Sequence, residues 1–237
     1  EGNLWIGTSD NGLVRLRVRD WQIFTANQGL VSSKLTALAA ESNGSLWMGT
    51  EDAGLVRYNG TRFESFTMGQ PFNAAMHVQS LCLDRRGALW VGTWGNGLFR
   101  FAGEQQWRFG TGQGLSDDVV NAVVAEPGSD IVWVGTRSGG MHRVSPTNIA
   151  SFTAADGLTG EAIRCLLFTR AGRLIVGSDA GGLVSWDGQR FMPVASAPAL
   201  VDHPVRSLRE DRAGRLWAGT TGAGAFCRKG SSWVNLT

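Results

Sequence analysis

A pentapeptide of the form Leu-Trp-x-Gly-Thr, or a near copy, begins at Leu4, Leu46, Leu89, Val132, Leu174 and Leu216, at intervals of 42, 43, 43, 42 and 42 residues. A fixed period across a whole chain restricts it to architectures in which each unit buries its apolar face against the next. Three residues separate each Gly-Thr or Gly-Ser from a glycine followed by apolar residues, as in Gly54-Leu55-Val56 and Gly182-Leu183-Val184. A third segment carries paired aromatics, such as Phe63 with Phe66 and Trp107 with Phe109. A fourth precedes each later copy of the pentapeptide, over 35–41, 78–84, 120–126, 163–169 and 205–211. Each segment is five to seven residues long, aliphatic or aromatic, and bounded by Gly, Asn or Asp, which predicts strands and not helices. Four short strands at this period make the blade of an all-β β-propeller. The expectation is one domain over 1–237 of about six four-stranded antiparallel blades, with repeats beginning near Leu4, Leu35, Val78, Val120, Ile163 and Val205. Entry at the second strand makes the first blade three-stranded, and the non-integral number of repeats predicts a segment of a larger ring. Asn59-Gly60 and Asp187-Gly188 read as hairpin turns with positive φ at both central positions.

Composition follows from this repeat. The 237 residues include 33 glycines and 10 tryptophans. Glycine serves the successive turns, and Trp5, Trp47, Trp90, Trp133 and Trp217 share one position where an indole packs on the neighbouring blade. Arg15, Arg57, Arg100 and Arg143 also share a position and read as structural. The net charge of +2, with no basic run, gives no electrostatic case for nucleic acid or an anionic membrane. No apolar stretch is long enough to span a bilayer, so direct membrane insertion by this segment is not expected.

The strings Asp84-Arg-Arg-Gly-Ala-Leu-Trp90-Val-Gly-Thr-Trp-Gly-Asn-Gly-Leu98-Phe-Arg100 and Asp211-Arg-Ala-Gly-Arg-Leu-Trp217-Ala-Gly-Thr resemble the blade repeat of the two-component regulator propeller family. The links Gln28-Gly29-Leu30, Gln113-Gly114-Leu115 and Asp156-Gly157-Leu158 are similar to its inter-blade signature. The resemblance implies an extracytoplasmic, periplasmic or extracellular ligand-sensing module of a membrane-anchored bacterial receptor. It further implies downstream receptor domains ending in a kinase or cyclase, a receptor dimer, and oligosaccharide ligands for some members. The fifth repeat departs from the pattern at Ile175, Ser178 and Ser185, and the sixth at Ala225 and Cys227. These two blades are expected to be loosely packed or specialised.

In a propeller the loops between second and third strands share one face with the inter-blade links, and rigid blades let such loops vary freely. The tips are 9–11, 51–53, 94–96, 137–139, 179–181 and 221–223, and they vary within a constant glycine frame. The candidate ligand-binding residues are therefore Asp10, Glu51, Asp52, Trp94, Asn96, Arg137 and Asp179, with His77 from a link. Trp94 lies off the repeated strand position, where it either stacks on a flat ligand such as a sugar or folds over its neighbouring blade. Lys34, Asp117, Asp118, Glu161 and His203 complete a mixed-charge rim suited to a small polar ligand. A concave pocket ringed by Trp94, Glu51 and Arg137 would mark that ligand's site.

No catalytic or metal residues are assigned, and no cofactor is called for. His77, His142 and His203 lack zinc-site spacing. Asp84 and Asp211 supply too few oxygens for calcium and read as turn-capping residues. The Gly110–Gly114 run has no helix after it to make a phosphate loop. Three cysteines at unrelated repeat positions imply no disulfide framework, and Cys82 and Cys165 read as small hydrophobes. The sequence thus points to a non-enzymatic sensor domain. The alternatives are a protein–protein interaction scaffold and, third, a carbohydrate-active hydrolase or lyase using Glu51, Asp52, Asp117 or Asp118.

Overall fold

The computed structural model describes residues 4–10, 12–17, 20–67, 71–145, 147–194, 200–230 and 232–236. Asn11 of the first tip and residues 195–199 of the fifth link lie outside them. Blade 1 comprises β1 (Leu4–Gly7), β2 (Leu13–Arg17) and β3 (Asp20–Phe24). Blade 2 comprises β4 (Leu35–Ala40), β5 (Leu46–Thr50), β6 (Leu55–Tyr58) and β7 (Phe63–Phe66); blade 3, β8 (Val78–Leu83), β9 (Leu89–Thr93), β10 (Leu98–Ala102) and β11 (Gln105–Phe109). Blade 4 comprises β12 (Val120–Ala125), β13 (Val132–Thr136), β14 (Met141–Val144) and β15 (Ile149–Phe152); blade 5, β16 (Ile163–Phe168), β17 (Leu174–Ser178), β18 (Leu183–Trp186) and β19 (Phe191–Pro193). Blade 6 comprises β20 (Val205–Glu210), β21 (Leu216–Thr220), β22 (Ala225–Lys229) and β23 (Ser232–Asn235). Every blade is an antiparallel meander in sequence order, and the first has three strands, as the repeat phase requires.

Five apolar cores hold successive blades together, one at each junction from blades 1 and 2 to blades 5 and 6. Among the described residues none joins blade 6 to blade 1. The glycine of the pentapeptide sets the spacing between blades. A Cβ on Gly135 would sit 2.8 Å from Cβ of Ile163, the first inner-strand residue of the next blade, and Gly49 and Gly92 face Val78 and Val120 likewise. The glycine that opens the third strand has a different reason, since Gly97 has φ +80° and lies against the Phe109 carbonyl.

The repeated arginines belong to a recurring set. Trp90 Nε1 donates to Asp84 Oδ2 at 3.0 Å, and the Arg100 guanidinium lies 5.5 Å from the Trp90 ring centroid. Asp84 Oδ1 accepts from the Arg86 and Ala88 amides at 2.9 Å, so the acid caps its turn and anchors the indole together. Glu41, Trp47 and Arg57 repeat the arrangement in blade 2, and Glu126, Trp133 and Arg143 in blade 4. In blade 6 Arg215 supplies the guanidinium that Cys227 lacks, 5.7 Å from the Trp217 centroid and 2.7 Å from Asp211. Blade 5 has lost all three members at once, with Thr169, Ile175 and Ser185 in their places.

Two local features differ from the sequence expectation. The Asn59 and Asp187 hairpins are four-residue loops in which the Asn59 amide donates to the Arg62 carbonyl and the Asp187 amide to that of Arg190. The Asn59 and Asp187 side chains accept from the amides two and three residues on, and Gly60 (φ +100°) and Gly188 (φ +107°) adopt the left-handed region. The Gly-Leu links begin with 3-10 turns at Ala26–Gln28, Thr111–Gln113 and Ala154–Asp156, each ended by a glycine with positive φ.

Candidate functional site at the loop face

The loops after β1, β5, β9, β13, β17 and β21 lie on one face with the inter-blade links. Backbone bonds tie the two sets together: the Trp94 amide donates to the His77 carbonyl at 2.9 Å, Arg137 to Val119 at 3.0 Å, Asp179 to Ala162 at 2.9 Å and Thr221 to Pro204 at 3.0 Å. Each tip of blades 2 to 6 is thereby held by the link that enters its own blade. The threonine of the pentapeptide closes the tip from below, its hydroxyl donating to the glycine carbonyl four residues on at Thr50, Thr93 and Thr136. Backbone order beneath a variable tip is the condition for a preorganised site.

Two clusters stand on this frame. In the first, the His77 and Trp94 rings stack with centroids 5.9 Å apart, and the Arg137 guanidinium of blade 4 lies 4.8 Å from the Trp94 centroid. Trp94 therefore folds over its neighbouring blade while leaving two-fifths of its surface exposed. Beside it Asp117 accepts from the Val119 amide and from both the amide and hydroxyl of Ser138. Burial pushes the Asp117 carboxyl up, and these hydrogen bonds with the Arg137 charge bring it below the ordinary range.

The second cluster joins blades 5 and 6. Arg164 Nη2 donates to Asp179 Oδ2, Arg206 Nη1 lies 3.4 Å from Asp179 Oδ1, and Arg206 Nε donates to Thr221 Oγ1 at 2.8 Å. The hydrogen bond from Arg164 holds the Asp179 carboxyl below its usual range, and the Arg206 charge adds to that. Arg164 Nε is shielded from solvent with no hydrogen-bond partner among the described residues. The two arginines share a structural cause: each sits where its inner strand bulges, between Ile163 and Cys165 and between Val205 and Ser207. A bulge re-aims a side chain that the regular pleat would place otherwise. The same position holds Thr36, Gln79 and Asn121 in earlier blades, and Thr36 and Asn121 donate to the Val78 and Ile163 carbonyls of the next blade. Sequence reading passed over Arg164 and Arg206 because they lie inside strands; the usable signal was a cation directly after the first apolar residue of a first strand.

The remaining sequence candidates are dispersed. Glu51 and Asp52 pair with Lys34 at 3.5 and 3.9 Å, and Ser32 donates to Asp52 at 2.6 Å. Asp10 accepts from Ser9 at 2.9 Å, and the Asn96 carbonyl accepts from Arg108 at 2.8 Å. Trp94 thus meets Arg137 and His77, while Glu51 belongs to a separate ion pair and Asp179 to the second cluster. Asp118 accepts from the Thr111 amide and hydroxyl, so the carboxylates considered for acid–base work are engaged in three separate sets.

Comparison with known proteins adds to this geometry. The family model of the two component regulator propeller matches residues 74–95 and 199–222. Among curated proteins there is no sequence match. The fold is similar to the extracellular domain of a hybrid two-component system from B. thetaiotaomicron, at 21% identity and TM-score 0.81 over 100% of this chain and 33% of that one. It is similar to PorZ, a surface component of the type-IX secretion system of Porphyromonas gingivalis, at 14% identity and TM-score 0.77 over 100% and 40%. It is also similar to virginiamycin B lyase of Staphylococcus aureus, at 11% identity and TM-score 0.76 over 99% and 80%. The chain thus spans a third to two-fifths of the length of the first two structures. Its repeats around Trp90 and Trp217 match the two component regulator propeller, and its fold is that of a six-bladed β-propeller with a three-stranded first blade.

Proposed function

We propose that the chain is the sensor propeller of a bacterial signalling receptor, and that its loop face recognises a small polar ligand such as an oligosaccharide. The observation that carries this reading is the Arg164–Asp179–Arg206 cluster, where two guanidiniums from successive inner strands share one carboxylate. One positive charge and several N–H donors are left over, directed by bulges rather than by loop chance. Hydroxyl- and carboxylate-bearing ligands suit such a fork of donors. The His77–Trp94–Arg137 stack adds an amphipathic surface of the kind that packs on a sugar ring. Similarity to an extracellular receptor domain supports an extracytoplasmic placement, with domains outside this chain carrying the signal to a kinase or cyclase through a receptor dimer. Signalling then requires the ligand to favour one receptor state over another.

The reading includes no catalysis, because the loop-face carboxylates are held in separate hydrogen-bond sets. A thermal-shift and calorimetric screen against defined oligosaccharides tests it. A bound ligand at a hundred times its dissociation constant adds about 2.7 kcal/mol of stability. Arg206→Ala, and Trp94→Ala combined with Arg137→Ala, should each weaken that binding about tenfold or more. Unchanged affinity in both variants would sink the reading, and turnover of the sugar would replace it with an enzyme.

A further inference from the structure

The opposite face, formed by the turns after first and third strands, carries a second feature that does not rest on the sensor reading. At each blade junction the residue after the repeated third-strand arginine packs toward the tryptophan of the preceding blade. Tyr58 lies 5.9 Å from Trp5 and Trp186 lies 5.4 Å from Trp133, ring to ring, while Phe101 and Val144 are buried in the same cores as Trp47 and Trp90. Between blades 5 and 6 both halves of this plug are replaced. The tryptophan position is Ile175, and the aromatic or aliphatic position is Arg228, which pairs with Trp233 as Tyr58 pairs with Phe63.

A cavity of about 510 Å³ lies at that junction, lined by Ile175, Val194 and Leu216 on its apolar side and by Arg173, Glu210, Arg215 and Arg228 on its polar side. The volume falls within the range of small-molecule sites, about 300–1,000 Å³. Grooves at the same place elsewhere measure about 460 Å³ between blades 1 and 2 and about 280 Å³ between blades 4 and 5. Each arginine there has a side-chain partner: Arg15 donates to Gln22, Glu41 holds Arg57 and Trp47, and Glu126 holds Arg143 and Trp133, although Arg15 Nε and Arg57 Nε are themselves shielded without one. At blades 5 and 6 the charges differ. Arg215 is held by Asp211 and Glu210 accepts from the Arg170 amide, but Arg173 and Arg228 have no ion pair among the described residues. Arg228 Nε is shielded from solvent without a hydrogen-bond partner there. A shielded guanidinium donor in a low-dielectric wall is costly unless an acceptor meets it.

We infer that the cavity between blades 5 and 6 is a binding site for a small organic carboxylate with an apolar body. Arg228 takes the carboxylate, which a guanidinium fork fits bidentately, and Ile175, Val194 and Leu216 take the apolar part. A compact inorganic anion would leave those walls wet, and a neutral ligand would leave the Arg228 charge without a counterion.

Amide NMR of the protein titrated with phenylacetate, with benzyl alcohol and inorganic phosphate as controls, tests this. Saturable shifts are expected for phenylacetate at Gly214, Arg215 and Gly230, with both controls much weaker. Arg228→Gln is expected to weaken phenylacetate about tenfold or more, and Ile175→Trp, which restores the repeat residue, to abolish its binding. Arg228→Gln keeps its amide spectrum as a check of folding and stands alone if Ile175→Trp does not fold. The inference is overturned if phenylacetate gives no saturable shift, if either control binds as tightly, or if Arg228→Gln leaves the affinity unchanged.

Discussion

At the residue scale, His142 shows how a buried polar group is tolerated and what it costs. Its ring is fully buried in β14, where Nε2 accepts from the Ser116 amide at 2.9 Å and lies 3.1 Å from the Ser116 hydroxyl. Burial lowers its pKa to about 4, against a smaller upward pull from Asp117. The folded pKa lies below the unfolded one, so the neutral ring's contribution is fully present above about pH 6.5 and is lost as pH falls toward 4. That window contributes on the order of 3 kcal/mol of destabilisation for a shift of this size. Urea unfolding at successive pH values should show the midpoint falling between pH 6.5 and 4.5, above the range in which lowered carboxylates such as Asp117 and Asp179 begin to titrate. His142→Gln, which keeps an acceptor for Ser116, should flatten that fall; an equally steep profile would assign it elsewhere. The spacing of His142 read against a metal site but held no sign of its partner, because Ser116 lies 26 residues away in an inter-blade link. Trp94 was legible as an outlier and Arg137 as a residue of the next tip, whereas their mutual contact depends on how two blades approach.

Within a single element, legibility follows from whether the constraint is local. Strand positions, inner-strand starts and the three-stranded first blade were all readable, because the period of the pentapeptide fixes phase and strands repeat in sequence order. The acid of the Trp–Arg sets was read only as a turn cap, since its bond to the indole spans two strands. The inner-strand bulges were not readable at all: a bulge adds one residue to a pairing without altering composition, and it is these bulges that bring Arg164 and Arg206 to the loop face. The blade-spacing glycine gives a direct test. Gly135→Ala places a methyl against Ile163 and should cost about 1–3 kcal/mol by overpacking. Gly112→Ala, with nothing within 4 Å of the new methyl and no positive φ, should change stability by less than about 0.5 kcal/mol. Equal effects in chemical denaturation would show that the pentapeptide glycine is not a contact residue.

For the whole molecule, six blades stacked through five apolar cores among the described residues carry two chemically different faces. The loop face carries variable tips clamped by backbone bonds from the links, and the opposite face carries the acid–Trp–Arg sets and their one interruption at blade 5. The polar-ligand site proposed above belongs to the loop face, and the other face serves mainly blade packing apart from the cavity between blades 5 and 6. Blade 5 is where both faces depart from the repeat, with Asp179 at its tip and Ile175 at its base. The most direct measurement is hydrogen–deuterium exchange of the protein with and without the oligosaccharide that stabilises it. The account predicts slowed exchange at the tips and links around His77, Trp94, Arg137, Asp179 and Arg206, with the turns at Asp84–Gly87 and Asp211–Gly214 unchanged. Protection confined to those turns, or bound sugar with no protection at the loop face, would contradict it.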